Sequence, residues 1–137
     1  MKISIVTASF NSADTIRDTL LSIQQQDYPQ IEHIVIDGGS TDDTLRIVNE
    51  FPHIASVISE PDKGIYDAMN KGISLCTGDV IGILNSDDIY ADQHVLSDVA
   101  KMFHDPKVQA SYADLQFVQR DDINKVVRTW KAGSYSK

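Results

Sequence analysis

The sequence predicts an α/β fold, a Rossmann-like, mostly parallel sheet with helices on both faces and a β-hairpin towards the C-terminus. Three observations carry that expectation. Short runs rich in Ile and Val recur along the chain, as strands covered on both faces require. Stretches of helical periodicity alternate with these runs through short connections. Three of the apolar runs end in clusters of polar and acidic residues, the arrangement of an open sheet that binds its ligand beyond the strand tips.

The elements follow in order. Residues 3–8 form the first strand and run into Ala8-Ser9-Phe10-Asn11. Residues 14–26 place Ile16, Leu20 and Ile23 on one helical face, with Ser12 as N-cap. Residues 33–36 form a second strand that ends in Asp37-Gly38-Gly39-Ser40. A helix over 41–51 carries Leu45, Ile47 and Val48, and Asp42 and Asp43 suit the positive end of its dipole. Residues 55–59 are a weaker strand. The helix over 65–76 presents Ile65, Met69 and Ile73 as its core face, holds Cys76 as a small buried hydrophobe, and stops near the C-capping Gly78. Residues 80–84 form another strand, and 93–103 a helix with Val95, Val99, Met102 and Phe103 inward. Past Pro106, residues 109–119 and 125–130 read as the arms of a hairpin around the polar turn 120–124. The last six residues are polar and add no closing element.

A length of 137 residues suits one domain with a single core, 1–137. The 42% hydrophobic and 23% charged residues are ordinary for a folded chain. Twelve basic against 20 acidic side chains give a net charge of −8. That balance argues against a nucleic-acid partner, which needs a basic face, and against docking on anionic lipid. One cysteine excludes an internal disulfide framework. The N-terminus lacks the pattern of a signal peptide and no run is long enough for a membrane helix, so the cytoplasm is the expected location, with at most peripheral contact at the inner face of the membrane.

Chemistry concentrates at the strand tips. Asn85-Ser86-Asp87-Asp88 follows a fully apolar run, and two adjacent carboxylates there repel unless a cation compensates them. Oxygen ligands of this kind suit magnesium or manganese, which complete their shells from water and phosphate. The plainer reading is a solvent-facing helix cap. In Asp37-Gly38-Gly39-Ser40-Thr41, two glycines permit a tight turn and close approach of a flat ligand. Ser40 or Thr41 would then cap the next helix, leaving Asp37 to accept from a nucleobase N–H or a ribose hydroxyl. The alternative is that Asp37 satisfies its own loop amides. Lys63, Asn70 and Lys71 are placed to meet a diphosphate or a sugar hydroxyl, although Lys71 reads better as a solvated surface lysine. His33, His53, His94 and His104 have no metal-ligand spacing and are assigned no chemistry. The glycine-rich dinucleotide and P-loop signatures are absent from the sequence.

In sequence, ISIVTASFN, IVIDGGSTDDT, SEPDKGIYDAMNKG and GDVIGILNSDD resemble family-2 glycosyltransferases of the GT-A fold, from the first residues to about Trp130. The WKAGSYSK ending resembles the stretch that precedes the acceptor-side region of bacterial members acting on surface polysaccharide. The resemblance implies a nucleoside-diphosphate sugar, often UDP-linked, and a divalent metal. It places Ala8, Phe10, Asn11, Asp37 and Gly38 by the base and ribose, and Lys63 and Asn70 by the diphosphate. Asn85 to Asp88 would be the counterpart of the D-x-D motif, with Asp88 on the metal and Asp87 on ribose or metal. Two departures stand out: many members have a second acid where this chain has Gly38, and an Asp where it has Asn85. The implied reaction is inverting transfer to a hydroxyl of a glycan or lipid-linked acceptor, with a general base expected beyond Lys137. The chain is therefore expected to hold the donor half and to stop before the acceptor half. The competing expectation is a non-catalytic nucleotide-binding module, or one that forms a homodimer through the hairpin and exposed apolar surface. A receiver-like phospho-switch also puts acids at strand tips, but Gly38-Gly39 after Asp37 fits it poorly.

Overall fold

The structure, a computed structural model, describes residues 1–134. These fall into two compact units, Met1–Lys101 and the chain from Met102 onward. In the first unit four parallel strands form one sheet: β1 (Ile3–Ser9), β2 (Ile31–Asp37), β3 (Ile54–Ser59) and β4 (Val80–Ile83), in the order β3-β2-β1-β4. All seven residues of β1 are buried, so the most apolar run becomes the centre of the sheet. β3 and β4 are edge strands whose burial alternates residue by residue, as a strand covered on one face only must show.

Helices pack on both faces. On one, Ile16 and Leu20 of α1 (Ile16–Gln24) and Ile47 and Val48 of α2 (Thr44–Val48) enclose Val35 and Phe51. Ile23 joins Leu96 and Ala100 of α4 (Val95–Met102) over Ile3 and Ile5. On the other face, Ala68 of α3 (Ile65–Leu75) packs on Ala8, Ile34 and Ile36. Ile34 and Ile36 thus serve the face opposite Val35, the period-two alternation of a strand.

Several local expectations are corrected. The inward face of α3 is Ala68 and Gly72, whereas Ile65 and Ile73 are exposed. A Cβ at Gly72 would run into Val6 Cγ1 and lie 3.3 Å from Ile36 Cγ1, so the helix seats on the sheet through small residues and its large ones turn outward. Ser12 does not cap α1 with its hydroxyl: Thr15 holds the N-cap position, and Ser12 contributes only its carbonyl, to the amides of Thr15 and Ile16. α2 is shorter than expected because Asp42 folds its carboxylate onto the amide and hydroxyl of Thr44, making a turn where the helix would have begun. Neither Ser40 nor Thr41 caps α2, since Asp43 occupies that position. Nor does Gly78 cap α3: Cys76 ends it, and Gly78 donates to Ser4 Oγ instead.

His33 and His53, assigned no chemistry from the sequence, form a stacked and hydrogen-bonded pair. His33 Nδ1 lies 3.1 Å from His53 Nε2, and His33 Nε2 lies 3.0 Å from Thr7 Oγ1. Burial and the neighbouring His53 push the pKa of His33 down to about 3. Cys76 is half-buried and its burial raises the thiol pKa, as expected of an inert core cysteine.

In the second unit, β5 (Leu115–Gln119) and β6 (Asp122–Trp130) pair antiparallel, confirming the hairpin with a tighter turn than the sequence suggested. The residues ending WKAGSYSK that follow Ser134 lie outside the described residues.

Candidate functional site

The two ends of the sheet are electrostatically different. At the amino end, Glu32 accepts from Lys2 Nζ, Ser4 Oγ, and both the amide and hydroxyl of Thr77. These donors, Lys2 foremost, lower its pKa to about 2. That carboxylate is fully compensated and serves the fold.

The carboxyl end is assembled from the loops that leave the strands. The tips of β1 and β2 are laced together: Asn11 N donates to Ser40 Oγ at 2.8 Å, and Thr41 N donates to Asn11 Oδ1 at 2.9 Å. Asn11 takes the left-handed conformation, φ 47°, which Asn tolerates better than most residues. Ser12 Oγ meets Ser86 Oγ at 2.8 Å, joining the β1 tip to the loop after β4. Ala8 is buried beneath this edge, while the Phe10 ring stands 62% exposed upon it.

Asp37 is the hub of the edge. It is fully buried, and five donors reach its two oxygens: Ser9 Oγ and Ser40 Oγ on Oδ1, and Gly39 N, Ser40 N and Ser59 Oγ on Oδ2. Burial raises its pKa, but the bonds from Ser40, Ser59 and Ser9 outweigh that and hold it below the usual range. The sequence offered two roles for Asp37, ligand acceptor or organiser of its own loop. The geometry spends its acceptor capacity on the loop.

Gly38 also has a role other than ligand approach. A Cβ there would lie 2.8 Å from Asp62 Oδ2, so the space over Gly38 belongs to the Asp62 carboxylate. Ser9, Ser40, Ser59 and Asp62 were not singled out from the sequence as site residues. Ser9 and Ser59 become visible only through the register that sets Ser9 opposite Asp37 and Asp37 opposite Ser59, whereas Ser40 lies in the same turn as Asp37. The Pro61-Asp62-Lys63-Gly64 turn was the one available signal for Asp62, whose Oδ1 accepts from Gly64 N in an Asx turn.

The loop after β4 is uncompensated. Desolvation, then the adjacent Asp87, raises the pKa of Asp88, with only partial relief from Asn85, whose Nδ2 lies 3.4 Å from Asp88 Oδ2. Asn85 Oδ1 is buried without a hydrogen-bond partner among the described residues. A buried acceptor beside two carboxylates is the donor set of a hard divalent cation, and these residues fit one. Among the described residues, no cluster of three or more His, Cys, Asp or Glu could hold a metal by itself. Oxygen ligands from outside the protein, such as phosphate, are thus needed to complete a shell.

Lys63 and Asn70 are exposed, and the structure shows no side-chain hydrogen bond from either to the strand-tip residues. Lys71 is not freely solvated: its ammonium pairs with Glu60 at 2.9 Å and approaches Asp67 at 3.6 Å.

Fold and edge chemistry together define an α/β domain whose uncompensated polar groups gather at the carboxyl ends of parallel strands. The chain belongs to glycosyl transferase family 2, whose family model matches residues 4–135. It is 43% identical over 97 residues to an uncharacterized glycosyltransferase of Mycobacterium tuberculosis, covering 69% of this chain and 37% of that protein. Among solved structures it resembles S. aureus TarS 1-349 in complex with UDP-GlcNAc, with TM-score 0.70 and 27% identity over 76% of this chain and 31% of that one. It also resembles the mannosyltransferase PcManGT from Pyrobaculum calidifontis in complex with GDP-Man and Mn2+, with TM-score 0.73 and 25% identity over 90% of this chain and 37% of that one. The chain therefore spans well under half the length of these relatives. No helix among the described residues is long and apolar enough to cross a membrane.

Proposed function

We propose that this chain binds the donor of a glycosyl transfer reaction, a nucleoside-diphosphate sugar, at the carboxyl edge of its sheet. The observation that carries the reading is the uncompensated acidic loop: Asp88 with its raised pKa, Asp87 beside it, and the orphaned Asn85 Oδ1. Similarity to structures that hold UDP-GlcNAc, or GDP-Man with Mn2+, supports the same assignment. Asp87 and Asp88 would hold a divalent cation, manganese or magnesium, with Asn85 alongside. When bound, that ion neutralises the charge that develops on the leaving diphosphate.

The remaining residues bind and orient. The exposed Phe10 ring offers a nucleobase a surface to stack on, over the loop that Asn11 braces. Lys63 and Asn70, both exposed, are free to reach phosphate or sugar oxygens. The acceptor would be a hydroxyl of a glycan or lipid-linked molecule, and transfer would invert the anomeric centre. Residues 1–137, which span well under half the length of the relatives, serve the donor side of the reaction, at the cytoplasmic side of the membrane.

Isothermal titration of the chain with UDP, with and without manganese, tests this reading. Binding is expected to strengthen at least about tenfold with metal, the scale of a phosphate oxygen gaining a cationic partner. Asp88→Ala is expected to abolish that gain while leaving the metal-free affinity alone. Heats indifferent to both changes sink the reading.

A further inference from the structure

We infer that Asp62, on the loop between β3 and α3, is the acidic residue that recognises the nucleoside. Its Oδ2 takes a hydrogen bond from the base N–H or from a ribose hydroxyl. The inference rests on the nucleotide-binding reading above and adds to it the residue that reads the nucleoside.

Three observations lead there. First, Asp37, the acid at the tip of β2, is closed to ligands: five donors engage its oxygens and no part of it reaches the surface. A carboxylate offers about four acceptor positions, so none is left over. Second, Gly38 brings no side chain, and the volume above it is filled by the Asp62 carboxylate, whose Cγ lies 3.3 Å and Oδ2 2.8 Å from where a Cβ would stand. Asp62 therefore delivers its charge over the tip of β2 from a neighbouring loop. Third, that loop is anchored so that the charge keeps its place. Glu60 N donates to Asp37 O at 3.0 Å, and Gly64 N donates to Asp62 Oδ1 at 2.9 Å. Gly39 takes the left-handed φ of 85° that the turn between Asp37 and Ser40 requires, which glycine adopts without strain. Asp62 Oδ2 has no hydrogen-bond partner among the described residues, and the residue is half-buried at the ligand edge. An anchored, half-buried carboxylate with one oxygen unspent is suited to accept from a ligand, because little ordering remains to be done on binding.

Asp62→Asn is the discriminating variant. Asn keeps the acceptor for Gly64 N, so the turn survives, but it can present an NH2 where the ligand donor needs an oxygen. UDP binding to the manganese-loaded chain is expected to weaken at least about tenfold, the scale of one hydrogen bond to a charged group, with an unchanged melting temperature. The double variant Asp62→Gly with Gly38→Asp, which moves the carboxylate onto β2, is expected to recover most of the loss. Two analogues locate the donor. If 3-methyluridine diphosphate binds wild type as weakly as UDP binds Asp62→Asn, the donor is the base N–H; if 2′-deoxy-UDP does so, it is the ribose. Undiminished UDP affinity in Asp62→Asn, with wild type binding normally, overturns the role of Asp62 alone. Failure of wild type to bind either UDP or GDP removes the nucleotide reading and this inference with it.

Discussion

At the residue scale, burial decides which titratable groups serve the fold and which are left for a ligand. Asp37, Glu32 and His33 are buried or nearly so and have partners, whereas Asp87 and Asp88 are exposed and Asp88 is strained electrostatically. The His33–His53 pair yields a prediction with a definite sign. His33 stays neutral in the fold until about pH 3, whereas an unfolded chain protonates it near 6.5. Between those values the unfolded state binds more protons, so stability falls as pH falls, by up to about 1.4 kcal/mol per pH unit for a full proton of difference. Glu32, depressed to about 2, adds its own loss only below about 4.5. Urea midpoints measured from pH 7 to 5 should therefore decline in wild type and decline less in His33→Gln. Parallel curves would mean that His33 is not the group responsible. This pair was not legible in the sequence, because 20 residues of chain separate two histidines that only the β2–β3 pairing brings together. The acidic pair was legible because its two members are adjacent.

At the element scale, the apolar runs announced β1 and β2 well, since a doubly covered strand is apolar at successive positions. The run over 80–84 reads the same way, yet β4 is an edge strand whose Ile81 and Ile83 are exposed. Helix boundaries and faces were less readable. A hydrophobicity pattern weights Ile65 and Ile73 above Ala68 and Gly72, yet close approach to the sheet is carried by the small pair. Gly72→Ala tests which term wins. Alanine would add about 1 kcal/mol of helix propensity, but its methyl has to displace Val6 and crowd Ile36. Overpacking of this kind costs about 1–3 kcal/mol, so a net loss of stability is expected by chemical denaturation. A stabilised variant would show that α3 sits further from the sheet than described. The start of α2 failed for a related reason: the Asp42–Thr44 bonds form a local turn that competes with helix, and propensity alone does not report it.

At the scale of the whole molecule, the two compact units differ in how they are held. The first has a central strand buried along its whole length, whereas all nine residues of β6 are exposed. A two-stranded ribbon with so little buried apolar surface is marginal in water. Hydrogen exchange should find amides of β5 and β6 exchanging on the order of a hundredfold faster than those of β1. Comparable protection would require the hairpin to be covered in solution. The hub at Asp37 carries a consequence of another kind. Asp-Gly peptides age chemically: the glycine nitrogen attacks the preceding side-chain carboxyl, closes a succinimide, and leaves isoaspartate behind. Here the Gly38 nitrogen already donates to Ser9 O at 2.8 Å, and the Asp37 carboxylate is ionised and tethered away from it. The folded chain thus shelters a linkage that would decay in a denatured one, and the durability of the β2 tip depends on staying folded.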